Sequence, residues 1–343
     1  MEWLLGKDLD ELTQIALMLG LPRYTGKQLC GWLYKKHVKT IGEMTNLSKA
    51  ARGLLSEGYE VGGFAPEQAQ ESTDGTRKYL FPTKDRFSIE SVVIPDDDRL
   101  TLCVSSQAGC RMGCRFCMTA RQGFQANLTA GEIVSQFLNV TESFRLTNAV
   151  YMGMGEPMDN LDEVLKSIRI LTSGWGWGWS PRRITVSTIG VLPQLKRFLE
   201  ESECHLAISL HHPFETERQA LIPMQKAYPL ADILALIRPH DFTGQRRVSF
   251  EYILFKGVND APAHALALAR LLKGLECRVN LIHFHAIPDS LLLPSSPAAV
   301  ALFQKKLLEA VVLTTLRASR GEDILAACGL LSTPQRGDLH IFH

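Results

Sequence analysis

The chain has 343 residues, 45% of them hydrophobic, and a formal net charge of +1. This composition excludes a disordered chain, and the length predicts about two domains with a sizeable core. Eight cysteines are too few for a disulfide-rich secreted scaffold. The first ten residues lack the pattern of a signal peptide, and no apolar run reaches about 18 residues. The sequence therefore predicts a cytoplasmic protein without a membrane span.

Residues 1–62 predict a small helical domain. Asp8 is a suitable N-cap for a helix that ends near Gly20. Within 22–52, seven basic residues face a single acid, Glu43, which gives a local charge of +6. Such a surface suits phosphates, but the same lysines also fit the solvent face of an amphipathic helix. The seven residues are Arg23, Lys27, Lys35, Lys36, Lys39, Lys49 and Arg52.

The pattern changes to short strands between 63 and 98, with Asp74 and Gly75 as a hairpin turn. We interpret this segment as a β connector. From 99 to 331, apolar runs alternate with helical segments, as in successive β-α units. Six parallel strands predict an open, partial (β/α)6 barrel with its chemistry at the strands' carboxyl ends, followed by a tail at 332–343. The runs begin at Leu100, Ala149, Ile184, Leu206, Val248 and Val279.

The most specific pattern in the chain is the C-x3-C-x2-C run formed by Cys110, Cys114 and Cys117. Thiolates are the usual ligands of a cubane iron-sulfur cluster, which takes four of them. A run of three predicts a 4Fe-4S cluster with one iron open to a small ligand. A zinc knuckle is the alternative, but it needs a fourth Cys or His nearby, and none follows before Cys204.

Other suggestive residues follow the ends of predicted strands. The sequence GlyMetGlyGluPro at 153–157 follows the second strand, Ser187 lies at the end of the third, and SerLeuHis at 209–211 follows the fourth. A Gly-x-Gly-Glu motif allows close backbone approach and places a carboxylate where it suits an ammonium group. By itself the motif is more typical of a loop turn. Its position beside the cysteine run favours one shared site.

Three tryptophans alternate with glycines at 175–179, just before Arg182 and Arg183. Indole faces beside cations suit the bases of single-stranded RNA. The favoured interpretation is a glycine-rich turn whose indoles pack onto the barrel.

Together, the cysteine run, GlyMetGlyGluPro, SerThrIleGly from 187, SerLeuHis from 209 and AlaAlaCysGly from 326 resemble the radical S-adenosylmethionine adenosine methyltransferases RlmN and Cfr. The likeness extends from about Glu90 to Leu330. It implies a radical S-adenosylmethionine barrel in which Cys110, Cys114 and Cys117 bind a 4Fe-4S cluster whose fourth iron holds S-adenosylmethionine. The positions that contact this cofactor in the family correspond to Gly155, Glu156, Ser187, Ser209, Leu210, His211 and His285, the last of which replaces the family's usual Asn.

Three further residues match the family's catalytic positions. Cys328 corresponds to the methyl-carrying cysteine, Cys103 to the resolving cysteine and Glu90 to the proton acceptor. Without the resemblance, a buried structural role would be the default for either cysteine. The implied route methylates Cys328, removes hydrogen from the new methyl group, joins its carbon to adenine, and releases the product as Cys103 forms a disulfide with Cys328.

Segments after Cys117 and before Cys328 resemble the branch of the family that methylates adenine C2. The resemblance therefore implies C2 methylation of adenosine in 23S ribosomal RNA, with transfer RNA as a second candidate substrate. Methylation at C8, or a radical reaction on a different RNA, protein or metabolite, remains the alternative. The expected partners are RNA and an electron donor such as flavodoxin, and the expected form is a monomer.

Overall fold

The computed structural model describes residues 1–244 and 246–332; the predicted tail beyond 332 lies outside them. The N-terminal part holds the helices α1 (Leu9–Met18), α2 (Thr25–Tyr34) and α3 (Lys49–Gly58), with the short parallel strands β1 (Glu2–Trp3) and β2 (Tyr59–Glu60). Helix α1 begins at the predicted cap, because the Asp8 carboxylate accepts from the Glu11 N–H at 3.0 Å. The Glu11 carboxylate accepts in turn from the Asp8 N–H at 2.7 Å, which completes a capping box.

Three antiparallel strands follow: β3 (Gln68–Glu71), β4 (Arg77–Pro82) and β5 (Ser88–Asp96). The predicted turn is present, with Gly75 in a left-handed conformation at φ +82° that glycine adopts without strain. Strand β5 also pairs antiparallel with β6 (Arg99–Cys103). The predicted connector therefore continues the barrel sheet through hydrogen bonds.

The six predicted parallel strands are confirmed, and a seventh joins them. After β6, the strands β7 (Gln107–Gly109) and β8 (Phe124–Asn127) form a hairpin around the cysteine run and α4 (Met118–Gln122). The remaining strands are β9 (Asn148–Tyr151), β10 (Ile184–Thr188), β11 (His205–Ser209), β12 (Val248–Leu254), β13 (Arg278–His283) and β14 (Leu313–Leu316). From β6 the main sheet continues through β9 to β14 in chain order, and all these strands are parallel.

Helices cover the outer face of the parallel strands. They are α5 (Ala130–Asn139), α6 (Leu161–Thr172), α7 (Leu192–Glu201), α8 (Glu215–Leu221), α9 (Leu230–Ile237), α10 (Pro262–Leu271) and α11 (Pro297–Glu309). A large apolar core lies between these helices and the sheet, and its fully buried strand residues include Leu206, Phe250 and Leu281. No helix of the described residues is both long and apolar enough to span a membrane.

The N-terminal helices have a separate core that borrows side chains from the barrel. Leu29, Leu33 and Leu55 form part of this second cluster, together with Val134 of α5 and Ile170 of α6. The helical part therefore docks on the outside of the barrel through shared apolar burial, which is the main force that holds such interfaces together.

Candidate active site

The cysteine run forms a tight loop at the carboxyl end of β7. The Cys110 N–H donates to the Gly123 carbonyl at 3.1 Å, and the Cys117 N–H donates to the Cys114 carbonyl at 3.2 Å. Burial raises the pKa of the Cys110 thiol to about 12. Burial also raises the pKa of Cys114, and the nearby charges of Cys117 and Cys110 raise it further. The three thiols are therefore close enough to interact.

This donor set fits an iron-sulfur cluster. Buried thiols deprotonate readily only where a positive centre stabilises the thiolate, and metal binding supplies that centre. Within the described ranges, no three His, Cys, Asp or Glu side chains stand close enough to chelate a single ion. Three neighbouring thiols on one loop instead suit a cubane, where each sulfur binds a different iron.

A buried arginine that the sequence did not reveal lies behind this loop. Arg218 on α8 is fully buried. Its guanidinium donates to the carbonyl of Leu210 at 3.0 Å, of Ser209 at 2.9 Å and of Ile189 at 3.1 Å. Burial lowers its pKa to about 10, opposed by the nearby charge of Cys114. Arg218 therefore joins the ends of β10 and β11 and places a cation beside the cysteine loop.

The two glycines of the Gly-x-Gly-Glu motif allow close contact between neighbouring strand ends. Gly155 has φ +99°, and a Cβ there would lie 2.5 Å from the Gln107 side chain. A Cβ at Gly153 would lie 2.7 Å from the Ser105 hydroxyl. The Glu156 N–H donates to the Gln107 side-chain oxygen at 2.8 Å. The glycines thus allow a close approach within the protein, to the segment that leads into the cysteine loop, and the expected approach to a ligand stays a prediction.

The Glu156 side chain is buried and links two loops. One carboxylate oxygen accepts from the Ile189 N–H at 3.0 Å and the other from the Met158 N–H at 3.1 Å. Burial raises the pKa of Glu156 to about 7, although these bonds and one from the Thr188 hydroxyl oppose the shift. These three donors leave one of the four acceptor positions of the carboxylate for a further donor, so a ligand ammonium group would be stabilised here.

The other predicted cofactor contacts lie on the next two strand ends. Ser187 and Ser209 are half-buried on β10 and β11, while the Leu210 side chain is fully buried. His211 adopts φ 55°, its Nδ1 accepts from the Ile253 N–H at 3.1 Å, and its ring meets Phe116 of the cysteine loop edge-on. Burial lowers the pKa of His211 to about 3, which keeps the imidazole neutral.

His285 faces a different part of the site. Its Nδ1 lies 3.2 Å from the Glu322 carboxylate, and its Nε2 lies 3.1 Å from the Ser319 hydroxyl. Both ring nitrogens are thus used by the segment that leads to Cys328. The cofactor contact of His285 stays a prediction.

Cys103 and Cys328, distant in sequence, line the same cavity of about 680 Å³ inside the barrel. Burial raises the pKa of Cys103 to about 12, and the neighbouring Cys328 raises it further. Arg317 opposes the rise at both thiols. Its guanidinium lies 3.5 Å from the carboxylate of Glu251. The sequence signal for Arg317 was weak, because it follows a short strand that the periodicity did not reveal.

The Cys328 loop, 318–332, is fastened at its first half to the β3–β4 hairpin. The Asp74 carboxylate accepts from the Gly321 N–H at 3.0 Å. The Asp323 carboxylate accepts from the Ser72 hydroxyl at 2.5 Å and the Thr73 N–H at 3.1 Å. One carboxylate of the hairpin and one carboxylate of the loop thus join the two segments.

The second half of the Cys328 loop contacts the cysteine run. The Met118 N–H donates to the Gly329 carbonyl at 2.8 Å, and the Thr119 hydroxyl donates to the Leu331 carbonyl at 2.6 Å. Gly329 has φ +84°, which favours glycine at this close approach. The predicted catalytic cysteine therefore sits on a loop that is packed directly against the predicted cluster ligands.

Glu90 is almost fully buried on β5. Its carboxylate lies 3.0 Å from the Lys78 ammonium and accepts from the Ser332 N–H at 3.0 Å. Burial raises the pKa of Glu90, and Lys78 opposes the rise. Because Val92 pairs directly with Cys103 and lies two residues from Glu90, the side chains of Glu90 and Cys103 share one face of the sheet.

Some lysines of the basic N-terminal stretch form hydrogen bonds within the protein, to residues of the barrel. The Lys35 ammonium donates to the Gly174 carbonyl at 2.7 Å, and the Lys39 ammonium donates to the Asn139 side chain at 2.7 Å. The Lys36 ammonium, just beyond the end of α2, lies 3.5 Å from the centre of the Trp32 ring. Three members of the stretch are exposed without such contacts among the described residues: Arg23, Lys27 and Lys49.

The tryptophans at 175–179 pack inward, as the favoured interpretation expected. Trp177 meets His37 at 4.8 Å and Phe137 at 5.8 Å between ring centres, and Trp179 is buried. Trp175 lies 6.1 Å from Tyr34. These indoles fill the contact between the helical part and the barrel.

Comparisons with known proteins agree with this geometry. Residues 104–269 match the radical SAM superfamily, and residues 3–61 match the ribosomal RNA large subunit methyltransferase N-terminal domain. A probable dual-specificity RNA methyltransferase RlmN from Phocaeicola vulgatus is 55% identical over 97% of this chain and 95% of its own length. The dual-specificity RNA methyltransferase RlmN of Syntrophus aciditrophicus is 44% identical over 94% of each chain.

The fold match is equally extensive. The crystal structure of a radical SAM methyltransferase from Sphaerobacter thermophilus superimposes with a TM-score of 0.91 at 39% identity, covering 96% of this chain and 99% of that one. Members of the superfamily bind a 4Fe-4S cluster and S-adenosylmethionine. The chain belongs to the RlmN family of radical S-adenosylmethionine methyltransferases.

Proposed function

We propose that this enzyme methylates C2 of adenosine in 23S ribosomal RNA and in transfer RNA, through a methylated Cys328 and a transient disulfide between Cys103 and Cys328. The observation that carries the proposal is that these two cysteines line one cavity together with Arg317, whose charge acts on both thiols. Adenine C2 is electron-poor and does not attack a sulfonium methyl group, so a carbon must first be activated on the protein. Two thiols in one cavity can provide both the group that carries the methyl carbon and the group that releases the product.

In this proposal Cys110, Cys114 and Cys117 hold the cluster, and Glu156 receives the ammonium group of S-adenosylmethionine. Gly155, Ser187, Ser209, Leu210 and His211 line its remaining surface. The support is their position at adjacent strand ends around the cysteine loop. When bound, the cluster and S-adenosylmethionine supply the methyl group, one electron and a radical able to abstract hydrogen.

The protein's own residues then carry the methyl group to the base. The Cys328 sulfur accepts it, and after hydrogen loss the methylene carbon bonds to adenine C2. Glu90 removes the C2 proton, and Lys78 at 3.0 Å favours its ionised form against the effect of burial. The Cys103 thiolate attacks the Cys328 sulfur, and the bond to the methylene carbon breaks. That carbon takes up a proton and becomes the methyl group, the surplus electron of the base adduct passes back to the redox centre that supplied it, and the methylated base leaves as the disulfide forms.

The test is to incubate reconstituted enzyme, S-adenosylmethionine and a reductant with 23S RNA fragments and transfer RNA separately. Mass spectrometry should find 2-methyladenosine in each RNA, with deuterium lost from C2 of labelled substrate. Loss of label from C8 alone would show the alternative chemistry, and an unmodified RNA would refute the proposal. This assignment carries the further expectations of a monomer, a flavodoxin-type electron donor and cytoplasmic action.

The two-thiol mechanism has its own test. Cys103→Ala protein should accumulate RNA joined covalently to Cys328, because release needs the second thiol. Cys277→Ala is the matched control, since Cys277 lies outside the barrel cavity. Normal turnover by Cys103→Ala would exclude the disulfide step.

A further inference from the structure

The barrel cavity has a strongly basic opening at the amino ends of its strands. We name Arg182, Arg183, Arg247 and Arg278 the basic mouth. The first two directly precede β10, Arg247 directly precedes β12, and Arg278 begins β13. All four are exposed, and all four line the cavity that also contains Cys103 and Cys328. The mouth and the two thiols therefore belong to one continuous space.

The arginines of the mouth have no carboxylate partners. Among the residues that the structure describes, none of the four forms an ion pair, whereas the other arginines that line the cavity do. Arg99 and Arg320 pair with Asp96, and Arg317 pairs with Glu251. These two acids are the carboxylates of the described cavity lining, and both are engaged. The mouth therefore keeps an unbalanced positive charge.

The positive charge of the mouth also affects the pKa of His205, which lines the same cavity. Burial lowers the pKa of His205, and the positive charges of Arg247 and Arg182 lower it further. Guanidinium groups crowded in this way repel one another unless an anion lies between them. Planar guanidinium groups are well suited to phosphate oxygens.

The mouth and the cysteine loop lie at opposite ends of the barrel. The cysteine loop follows the carboxyl ends of the strands, whereas the mouth is formed by their amino ends. Four residue steps separate Arg99 from Cys103 on β6, on the order of 13 Å at the usual rise of a strand. A base that enters through the mouth would meet the thiols from the side opposite to the cysteine loop.

We propose that the basic mouth is the entrance for RNA, and that its arginines bind the phosphates that flank the target adenosine. This inference rests on the proposed function and adds where the substrate docks. The target nucleotide leaves its stack and enters the lumen, as in other enzymes that modify a base. The phosphate contacts hold the RNA in register without reading its sequence. S-adenosylmethionine and RNA thus reach the thiols from opposite ends of the barrel.

The test compares two double variants that each remove two positive charges. Arg182→Gln/Arg247→Gln alters the mouth, and Lys196→Gln/Arg270→Gln alters exposed residues of α7 and α10 outside it. Binding of a fluorescent RNA hairpin that contains the target adenosine is measured with reconstituted enzyme between 50 and 200 mM KCl. The mouth variant should bind at least tenfold more weakly. Its slope of log affinity against log salt should fall by about 1.4, at about 0.7 for each lost phosphate contact.

The control variant should keep the wild-type affinity and slope. Both variants should bind S-adenosylmethionine like the wild type, which verifies the fold of the cofactor site. Unchanged RNA affinity and slope in the mouth variant would overturn the inference, as would an equal loss in the control. If the mouth variant binds and methylates RNA normally, the proposed docking site is wrong but the proposed function stands. If the wild-type enzyme binds the hairpin through the mouth but does not methylate it, the proposed function is wrong but the docking site stands.

Discussion

Lys78 on β4 and Glu90 on β5 form a buried ion pair, with the ammonium 3.0 Å from the carboxylate. The side chains are only 12% and 5% exposed, so water screens their attraction poorly. The other Glu90 oxygen accepts from the N–H of Ser332, at the end of the Cys328 loop. The proposed base is thus connected on one side to a cation and on the other to the segment that carries the methyl group.

Lys78→Met should move the acid limb of the pH-rate profile upward. A base works as the carboxylate, and burial raises the pKa of Glu90 while Lys78 lowers it. Without the ammonium the pKa of Glu90 should rise further. The single-turnover rate should therefore fall several-fold below neutral pH and approach the wild-type rate at alkaline pH. Single-turnover rates across pH provide the measurement. Lys166→Met, which breaks the half-buried pair with Glu11 outside the cavity, is the control. An identical shift there would contradict the assignment.

Asp323→Ala should loosen the Cys328 loop and slow its chemistry. The change removes two bonds, from the Ser72 hydroxyl and the Thr73 N–H. We expect diamide to form the disulfide between Cys103 and Cys328 several-fold more slowly, because the loop must be held in place for the thiols to meet. S-adenosylmethionine affinity should stay unchanged. Asp232→Ala on α9 is the control, and a wild-type rate of disulfide formation in Asp323→Ala would exclude a positioning role.

Arg317→Met should make Cys328 less reactive at a given pH. Burial raises the pKa of the Cys328 thiol, and the Arg317 guanidinium lowers it. The cation therefore favours the thiolate, which is the nucleophile. Losing the cation should shift the midpoint of alkylation by iodoacetamide upward by about one pH unit, or roughly tenfold in rate below the midpoint. Peptide mass spectrometry follows Cys328 separately from the other cysteines. Arg317→Lys should retain most of the effect, and an unmoved midpoint in the Met variant would show that Arg317 does not act on the thiol.

His37 should make the fold sensitive to acid. Its ring is buried between Phe144 and Trp177, and burial lowers its pKa from 6.5 to about 4. A base with a lowered folded pKa contributes stability above its unfolded pKa and loses it as the pH falls toward the folded value. The wild type should therefore lose about 2 kcal/mol of unfolding free energy between pH 7 and pH 5 through this residue.

Urea unfolding followed by tryptophan fluorescence measures the acid effect. His37→Gln carries no titratable ring, so its unfolding free energy should depend less on pH by that amount, whatever its stability at pH 7. His240→Gln, in the loop after α9, is the control and should keep the wild-type dependence. Equal pH slopes for His37→Gln and the wild type would show that this ring does not titrate on unfolding.

Local signals in the sequence were sufficient for much of the fold. The apolar runs located six parallel strands, and Asp8 and Gly75 marked a helix start and a turn because their chemistry acts within a few residues. Strand β14 was missed because four residues without a buried run carry little periodic signal. Its importance is positional, since it delivers Arg317 to the cavity.

The sequence by itself determined the spacing of the three-cysteine run, the order of the strand-end residues and thereby the family. These are properties of neighbours along the chain. Only the tertiary structure decided that Cys103 and Cys328 line one cavity, that Arg218 lies behind the cysteine loop, and that Asp74 and Asp323 hold the Cys328 loop. It also decided that four arginines without ion pairs among the described residues surround the opening of that cavity. Such contacts join residues far apart in the chain, so they depend on strand order and register, which local propensity does not encode.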